Sequence, residues 1–147
     1  MSIFSTLEIS GAALAAERQR AEVVATNMAN AETTHTPEGG PYKRKEVVFS
    51  SSGNMSFRMM LAGFHSLPGH TMPAVRVERV VEDRTPPLMR YEPGNPDANK
   101  EGYVAFPAIN PVQEMVDLMS AVRSYQLNAA AVNASKQMIQ QALDILK

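Results

Sequence analysis

The chain has 147 residues, 44% of them hydrophobic, a formal net charge of −1 and no Cys. The length suits one ordinary domain, and the apolar content is too high for a solvated tail. The near-neutral charge removes an electrostatic case for nucleic acid or an anionic membrane, and the lack of Cys excludes disulfides, thiolate metal sites and Cys nucleophiles.

Aromatic residues make up only 6% and Trp is absent. Packing falls to Ala, Met and other small or flexible residues, which favours close helix–helix contact over a bulky globular centre. All ten prolines and seven of the eight glycines lie between Pro37 and Pro111. Pro breaks helices and Gly weakens them, so the chain divides into 1–36, 37–111 and 112–147.

The first segment predicts a helix from about Ser5 to Met28. Its apolar positions are Ile3, Leu7, Leu14, Ala21, Val24, Met28 and Ala31, and Ser10 and Glu17 fill the two remaining slots of a 4,3 spacing. Asn27 and Asn30 share one face near its end. There Asn tolerates the left-handed conformation, can cap freed carbonyls and can bond neighbouring backbone. The helix is expected to stop near Thr33 and Thr34.

The middle segment reads as a small β unit with short strands over 46–49, 74–81 and 103–106. Turns are expected at Gly39-Gly40-Pro41, at Pro86-Pro87 and across Tyr91 to Pro96. Lys43-Arg44-Lys45, followed at once by Glu46, reads as a solvated strand edge rather than a binding patch. Residues 50–72 show no periodicity and read as a long loop. Met59, Met60, His65, His70 and Met72 within it could hold copper in principle, but their spacing fits no metal motif, so no metal is expected.

The last segment carries the strongest helical signal. Leu118, Val122, Tyr125, Ala129, Val132, Lys136, Ile139, Leu143 and Leu146 keep the 4,3 spacing throughout, with Lys136 the one polar member. A second stripe runs through Val116, Met119, Leu127, Ala130, Ala134, Met138 and Ile145, with Arg123 among them. A helix apolar on two faces needs more than one partner. Arg123 is expected to find a carboxylate or carbonyl, and a second subunit is one place for it. Tyr125 is expected to pack, with its hydroxyl on a polar partner. Setting Glu17 opposite Lys136 pairs Met28 with Tyr125, Ala21 with Val132 and Leu7 with Leu146. The fold class is therefore α+β. Long terminal helices pair as an antiparallel coiled coil around a small β-rich middle, and both termini are expected to be loose until they assemble.

No enzymatic frame is present. There is no zinc-protease His pair, phosphate-binding Gly loop, dinucleotide fingerprint or serine-nucleophile elbow, so neither a catalytic site nor a cofactor nor a small-molecule substrate is expected. No run of 18 apolar residues occurs, and the first residues lack the basic and apolar regions of a Sec signal peptide. Either the protein stays in the cytosol or it leaves by a route that needs no cleaved signal.

The residues also carry a resemblance. Ala12 to Thr33, with Asn27-Met-Ala-Asn-Ala31 at its core, is similar to the N-terminal signature of flagellar rod and hook proteins, and Glu114 to Asn128 is similar to their C-terminal signature. Gly39 to Phe49, Tyr91-Glu-Pro-Gly-Asn-Pro-Asp-Ala-Asn99 and Gly102-Tyr-Val resemble the proximal-rod branch of that family. The resemblance implies a structural subunit of the basal-body rod, exported by the flagellar type III apparatus without a cleaved signal. It implies partners among other copies of the chain, other rod proteins, the MS ring and the export gate. The assembly would be a hollow, torque-transmitting shaft joining ring and gate to the distal rod. Expected interface residues are Leu7, Leu14, Asn27, Met28, Asn30, Met119, Val122, Arg123, Tyr125, Asn128, Val132, Ile139 and Leu143. The family-motif loop is expected to use Tyr91, Pro93, Asn95, Pro96, Asp97, Gly102 and Tyr103. The alternatives are another flagellar axial protein, or a cytosolic helical export chaperone or binding module, which would have no need of a Pro/Gly-rich β middle. An amphipathic membrane-surface protein would need a basic face, and acids balance the bases on both helices.

Overall fold

The computed structural model describes residues 3–52 and 74–145. In chain order the elements are α1 (Ile3–Ala29), β1 (Lys45–Ser52), β2 (Ala74–Glu82), β3 (Leu88–Tyr91), β4 (Tyr103–Phe106) and α2 (Pro111–Ile145). Helices and small antiparallel sheets together make the α+β class.

Both helices fall where the proline-free segments predict them. At about 1.5 Å per residue they span roughly 40 and 52 Å. The start of α2 is built by its sequence. Pro111 has no N–H to leave unpaired at the first helical position, and the Asn110 carboxamide oxygen accepts the Val112 N–H at 3.0 Å. α1 ends through Asn30, whose Nδ2 donates to the Thr26 carbonyl at 2.9 Å. Asn30 does not take up the left-handed conformation, because among the described residues only Gly39, Gly40 and Gly102 have positive φ.

α1 and α2 pack side by side, and α1 also contacts the β1–β2 hairpin on another face. Asn27 near the end of α1 bonds Glu114 near the start of α2, so the two helices run antiparallel. The seam between them is made of small residues. Ala16 and Ala121 are buried, as are Ser5, Ser10 and Ser135, and the Ser135 hydroxyl satisfies itself on the Ala131 carbonyl at 3.0 Å.

This seam differs from the expected one. The large apolar residues Val122, Tyr125 and Leu143 of the anticipated stripe are exposed, and Lys136 is exposed too. The expected register is also displaced. With Asn27 against Glu114 and the Arg20 guanidinium 3.7 Å from Asp117, Glu17 lies about a dozen residues, roughly 18 Å, along α2 from Lys136. Its carboxylate instead sits 3.7 Å from Arg20 one turn along its own helix. Small side chains let the helix axes approach closely, and that gain outweighs burying the larger residues of a neighbouring column.

β1 and β2 form one antiparallel pair, with Lys45 opposite Glu82, Phe49 opposite Val77 and Ser51 opposite Val75; a bulge falls between Val48 and Phe49. β1 continues through Ser50 to Ser52, so the expected loop begins later than residue 50; its Met and His residues lie outside the described residues. β3 and β4 form a second pair in which Tyr91 faces Tyr103. β3 was not expected, because its four residues are squeezed between Pro86-Pro87 and the turn that starts at Glu92. Val104, Phe106 and Ile109 form a small buried patch as the chain passes from β4 into α2. No helix among the described residues is long and apolar enough to cross a membrane.

Candidate assembly interface

Two features converge on the helix pair, a buried polar knot that joins the helices to the hairpin and an uncovered apolar face on α2. The knot centres on Asn27, whose side chain is 1% exposed. Its Nδ2 donates to the Lys45 carbonyl at 2.8 Å and to Glu114 Oε2 at 3.0 Å. Its Oδ1 accepts from the Lys45 N–H at 2.9 Å and from the Tyr42 hydroxyl at 3.0 Å. A carboxamide has two donors and two strong acceptor sites, and all four are used here. Toward Lys45, Asn27 behaves as one more residue of a neighbouring strand and pins the end of α1 to the start of β1.

Glu114, also 1% exposed, closes the knot. Its other oxygen accepts from Arg44 Nε at 2.6 Å. Arg44 reaches Glu46 as well and lies 3.9 Å from Asp117, which in turn is 3.7 Å from Arg20. Burial pulls the Arg44 pKa down, but the hydrogen bond and charge of Glu114 and then Glu46 outweigh it and leave it raised. Glu114 stands in the first turn of α2, where the helix dipole favours a carboxylate. The Asp83 N–H holds the Arg44 carbonyl at 2.7 Å, so the end of β2 helps to aim the guanidinium. Arg44 is thus no solvated strand edge, which corrects the reading of the basic triplet. The available signal was this basic triplet together with two acids, Glu114 and Asp117, near the start of the last helix.

The family-motif loop lies at a distance in sequence but is tied to the same region. The Thr34 hydroxyl, just past α1, donates to Asp97 Oδ2 at 2.6 Å. Within the loop Asn95 accepts the Asp97 N–H at 3.0 Å, and Asn99 accepts the Tyr103 N–H at 2.9 Å. Asn95 is half-buried, whereas Pro93, Pro96 and Asp97 are exposed. Tyr91 and Tyr103 meet edge to face at 5.4 Å. Gly102 has φ +82°, and a Cβ there would meet the Tyr91 ring at 2.8 Å, so backbone and packing both demand glycine.

The remaining expected interface residues separate into two sets. Leu7, Leu14, Met28, Asn30, Asn128, Val132 and Ile139 are half-buried, most of them along the helix pair, where the Asn128 carboxamide donates to the Ser124 carbonyl at 2.9 Å. Met119, Val122, Arg123, Tyr125 and Leu143 lie outside the seam. Met119 is 67% exposed, in a continuous outer face with Val112, Met115, Val116 and Leu127. Arg123 stands in this face without an ion pair or hydrogen bond among the described residues. Such a run of large apolar side chains marks an interaction surface.

Comparison with known proteins identifies the setting. The flagellar basal-body rod protein FlgC of Bacillus subtilis is 42% identical to this chain over 151 aligned residues, covering 100% of both. The chain belongs to the FlgC family of flagellar basal-body rod proteins. FlgC of Borreliella burgdorferi is 36% identical over 100% of this chain and 99% of its own. FlgC of Salmonella typhimurium is 39% identical over 99% of this chain and 98% of its own. Residues 100–145, which hold β4 and α2, match the family described as "Flagellar basal body rod FlgEFG protein C-terminal". The chain is accordingly a structural protein of the flagellar basal-body rod, and the export-chaperone alternative falls with that result.

Proposed function

We propose that this FlgC-family chain is an axial subunit of the proximal rod that polymerises through its terminal helices. The α1–α2 pair acts as an antiparallel coiled-coil rib, and the outer face of α2 is buried against neighbouring subunits. Side by side, such ribs form the wall of a hollow shaft that carries torque from the MS ring and export gate to the distal rod and leaves a channel for later substrates. Export through the flagellar type III apparatus without a cleaved signal accompanies this role.

The observation that supports the reading best is the exposed face of Val112, Met115, Val116, Met119 and Leu127 on a helix already paired along its opposite side. A lone chain gains nothing from that pattern, whereas a polymer covers it. The knot supports the reading from inside, because it fixes rib and hairpin as one body able to transmit force. The test is complementation with Val116→Asp combined with Met119→Asp. The double variant is expected to be made and exported but to leave the rod incomplete and the cells non-motile. Normal incorporation would overturn the proposal.

A further inference from the structure

The small side chains of the α1–α2 seam do little to fix its register. On α2 the seam holds Glu114, Ala121 and Ser135, all buried, with half-buried Asn128 between them, so its positions recur every seven residues. In a slide of one heptad Ala121, Asn128, Ser135 and Ala142 take the places of Glu114, Ala121, Asn128 and Ser135, and small residues again meet the seam. Burial even favours such a slide. From the Asn27–Glu114 register, α2 runs past the start of α1 beyond about residue 138, so its last turns have no helix beside them among the described residues. This overhang exposes Leu143 and Ile145, at 57% and 84%, and Phe4 at the start of α1 is 75% exposed. Sliding α2 by one heptad would bring the start of α1 level with the end of α2 and cover part of this apolar surface.

We propose that Glu114 is the register-setting residue of the helix pair, the buried acid that holds α2 one heptad away from its largest apolar overlap. Its two oxygens accept from two different parts of the fold, Oε2 from Asn27 Nδ2 on α1 at 3.0 Å and Oε1 from Arg44 Nε beside β1 at 2.6 Å. In the slid pairing Ala121 stands in that place and offers no side-chain acceptor. The Asn27 amide and the Arg44 guanidinium both lose a partner, and Glu114 is carried about 10 Å along the axis, past the end of α1. Losing bonds to a buried charge outweighs covering a few apolar residues at a helix end. A buried polar group can in this way select one register among several that pack about equally well. Asp117, 3.7 Å from Arg20 and 3.9 Å from Arg44, adds two longer and partly exposed pairs to the same register. The height of α2 against the hairpin then follows from one carboxylate. This lock belongs to the single chain and holds whatever covers the outer face of α2.

A distance measured along the helix pair of the full-length chain tests this. The chain has no Cys, and Gln19 and Gln137 are exposed, so Gln19→Cys with Gln137→Cys takes two nitroxide spin labels for pulsed electron paramagnetic resonance. In the observed register the two positions lie about 15 residues apart along the axis, roughly 22 Å; in the slid pairing they lie about eight apart, roughly 12 Å. Glu114→Leu with Arg44→Met replaces the buried ion pair by apolar side chains, a change that commonly leaves a fold intact. The labelled variant is expected to keep its helical circular dichroism and to gain a second distance population, shorter by up to about 10 Å. A single native distance in the folded variant overturns the proposal. If that variant loses its helical signal, Glu114→Gln is measured in its place. Gln keeps the volume but sets its own amide N–H against one of the two donors, so native and shorter distances are expected side by side, and a native distance alone overturns the proposal. Arg20→Ala with Asp117→Ala is expected to keep the native distance. A shorter one there would give the register to the partly exposed pairs and overturn the assignment to Glu114.

Discussion

Asn27 uses both donors and both acceptors of one carboxamide, so no other side chain fits its place. Asn27→Ala leaves the Lys45 backbone and Glu114 without their partner, and is expected to destabilise the purified chain by about 2–4 kcal/mol in urea unfolding. Asn27→Asp should be worse than Ala, because it removes the donors and sets a second carboxylate beside Glu114. Tyr42 supplies a pH signature. Burial first, and then the negative charges of Glu114 and Glu82, hold its pKa above the ordinary tyrosine value. The folded chain keeps that proton more tightly than the unfolded chain does. The resulting stabilisation is complete below about pH 10 and is lost as pH rises through the raised folded value. Tyr42→Phe should cost about 0.5–1.5 kcal/mol at neutral pH and make the alkaline decline of stability shallower, as read by thermal melts from pH 8 upward. Little of this site was legible in the sequence. Asn27 stood out at the end of a helix, but its partners lie 15 to 87 positions away, and no periodicity points to them.

At the scale of elements, the β3–β4 hairpin depends on Gly102. Gly102→Ala must adopt a positive φ and push its Cβ into the Tyr91 ring, and is expected to cost about 1–3 kcal/mol. The loss should appear as a change in the near-ultraviolet tyrosine signal, with helix content unchanged. The helices themselves were legible because every proline and all glycines but Gly11 fall between Pro37 and Pro111. Which face of α2 meets α1 was not. The 4,3 count favoured the column with the largest side chains, whereas the structure seats Ala121 and Ser135 in the seam and turns Val122 and Tyr125 outward. Periodicity reports that a helix has apolar columns, but not which column takes the intramolecular partner when other chains compete for it. The exposed end of α2 carries its own expectation. Amides beyond Ile139 should exchange hydrogen faster than those between Glu114 and Ser135, because no helix flanks them among the described residues.

For the whole molecule, the same ambiguity becomes informative. Two apolar columns were readable on α2, and the single chain leaves the large residues of the second bare and exposes Val122, Tyr125 and Leu143 of the first as well. The axial role proposed above would require this of a subunit that is stable enough to be made yet finished only in a polymer. Val116→Asp with Met119→Asp should therefore change the unfolding free energy of the isolated chain by no more than about 0.5 kcal/mol per site, since both residues are exposed. A large loss of stability would place that face inside the monomer. The most direct measurement uses the absence of Cys. A chain carrying Met119→Cys as its only thiol is labelled with a maleimide, once as isolated subunit and once within intact basal bodies. The account predicts rapid labelling of the subunit and strong protection in the rod. Equal labelling in both would contradict the burial of the outer face of α2 in the assembled shaft.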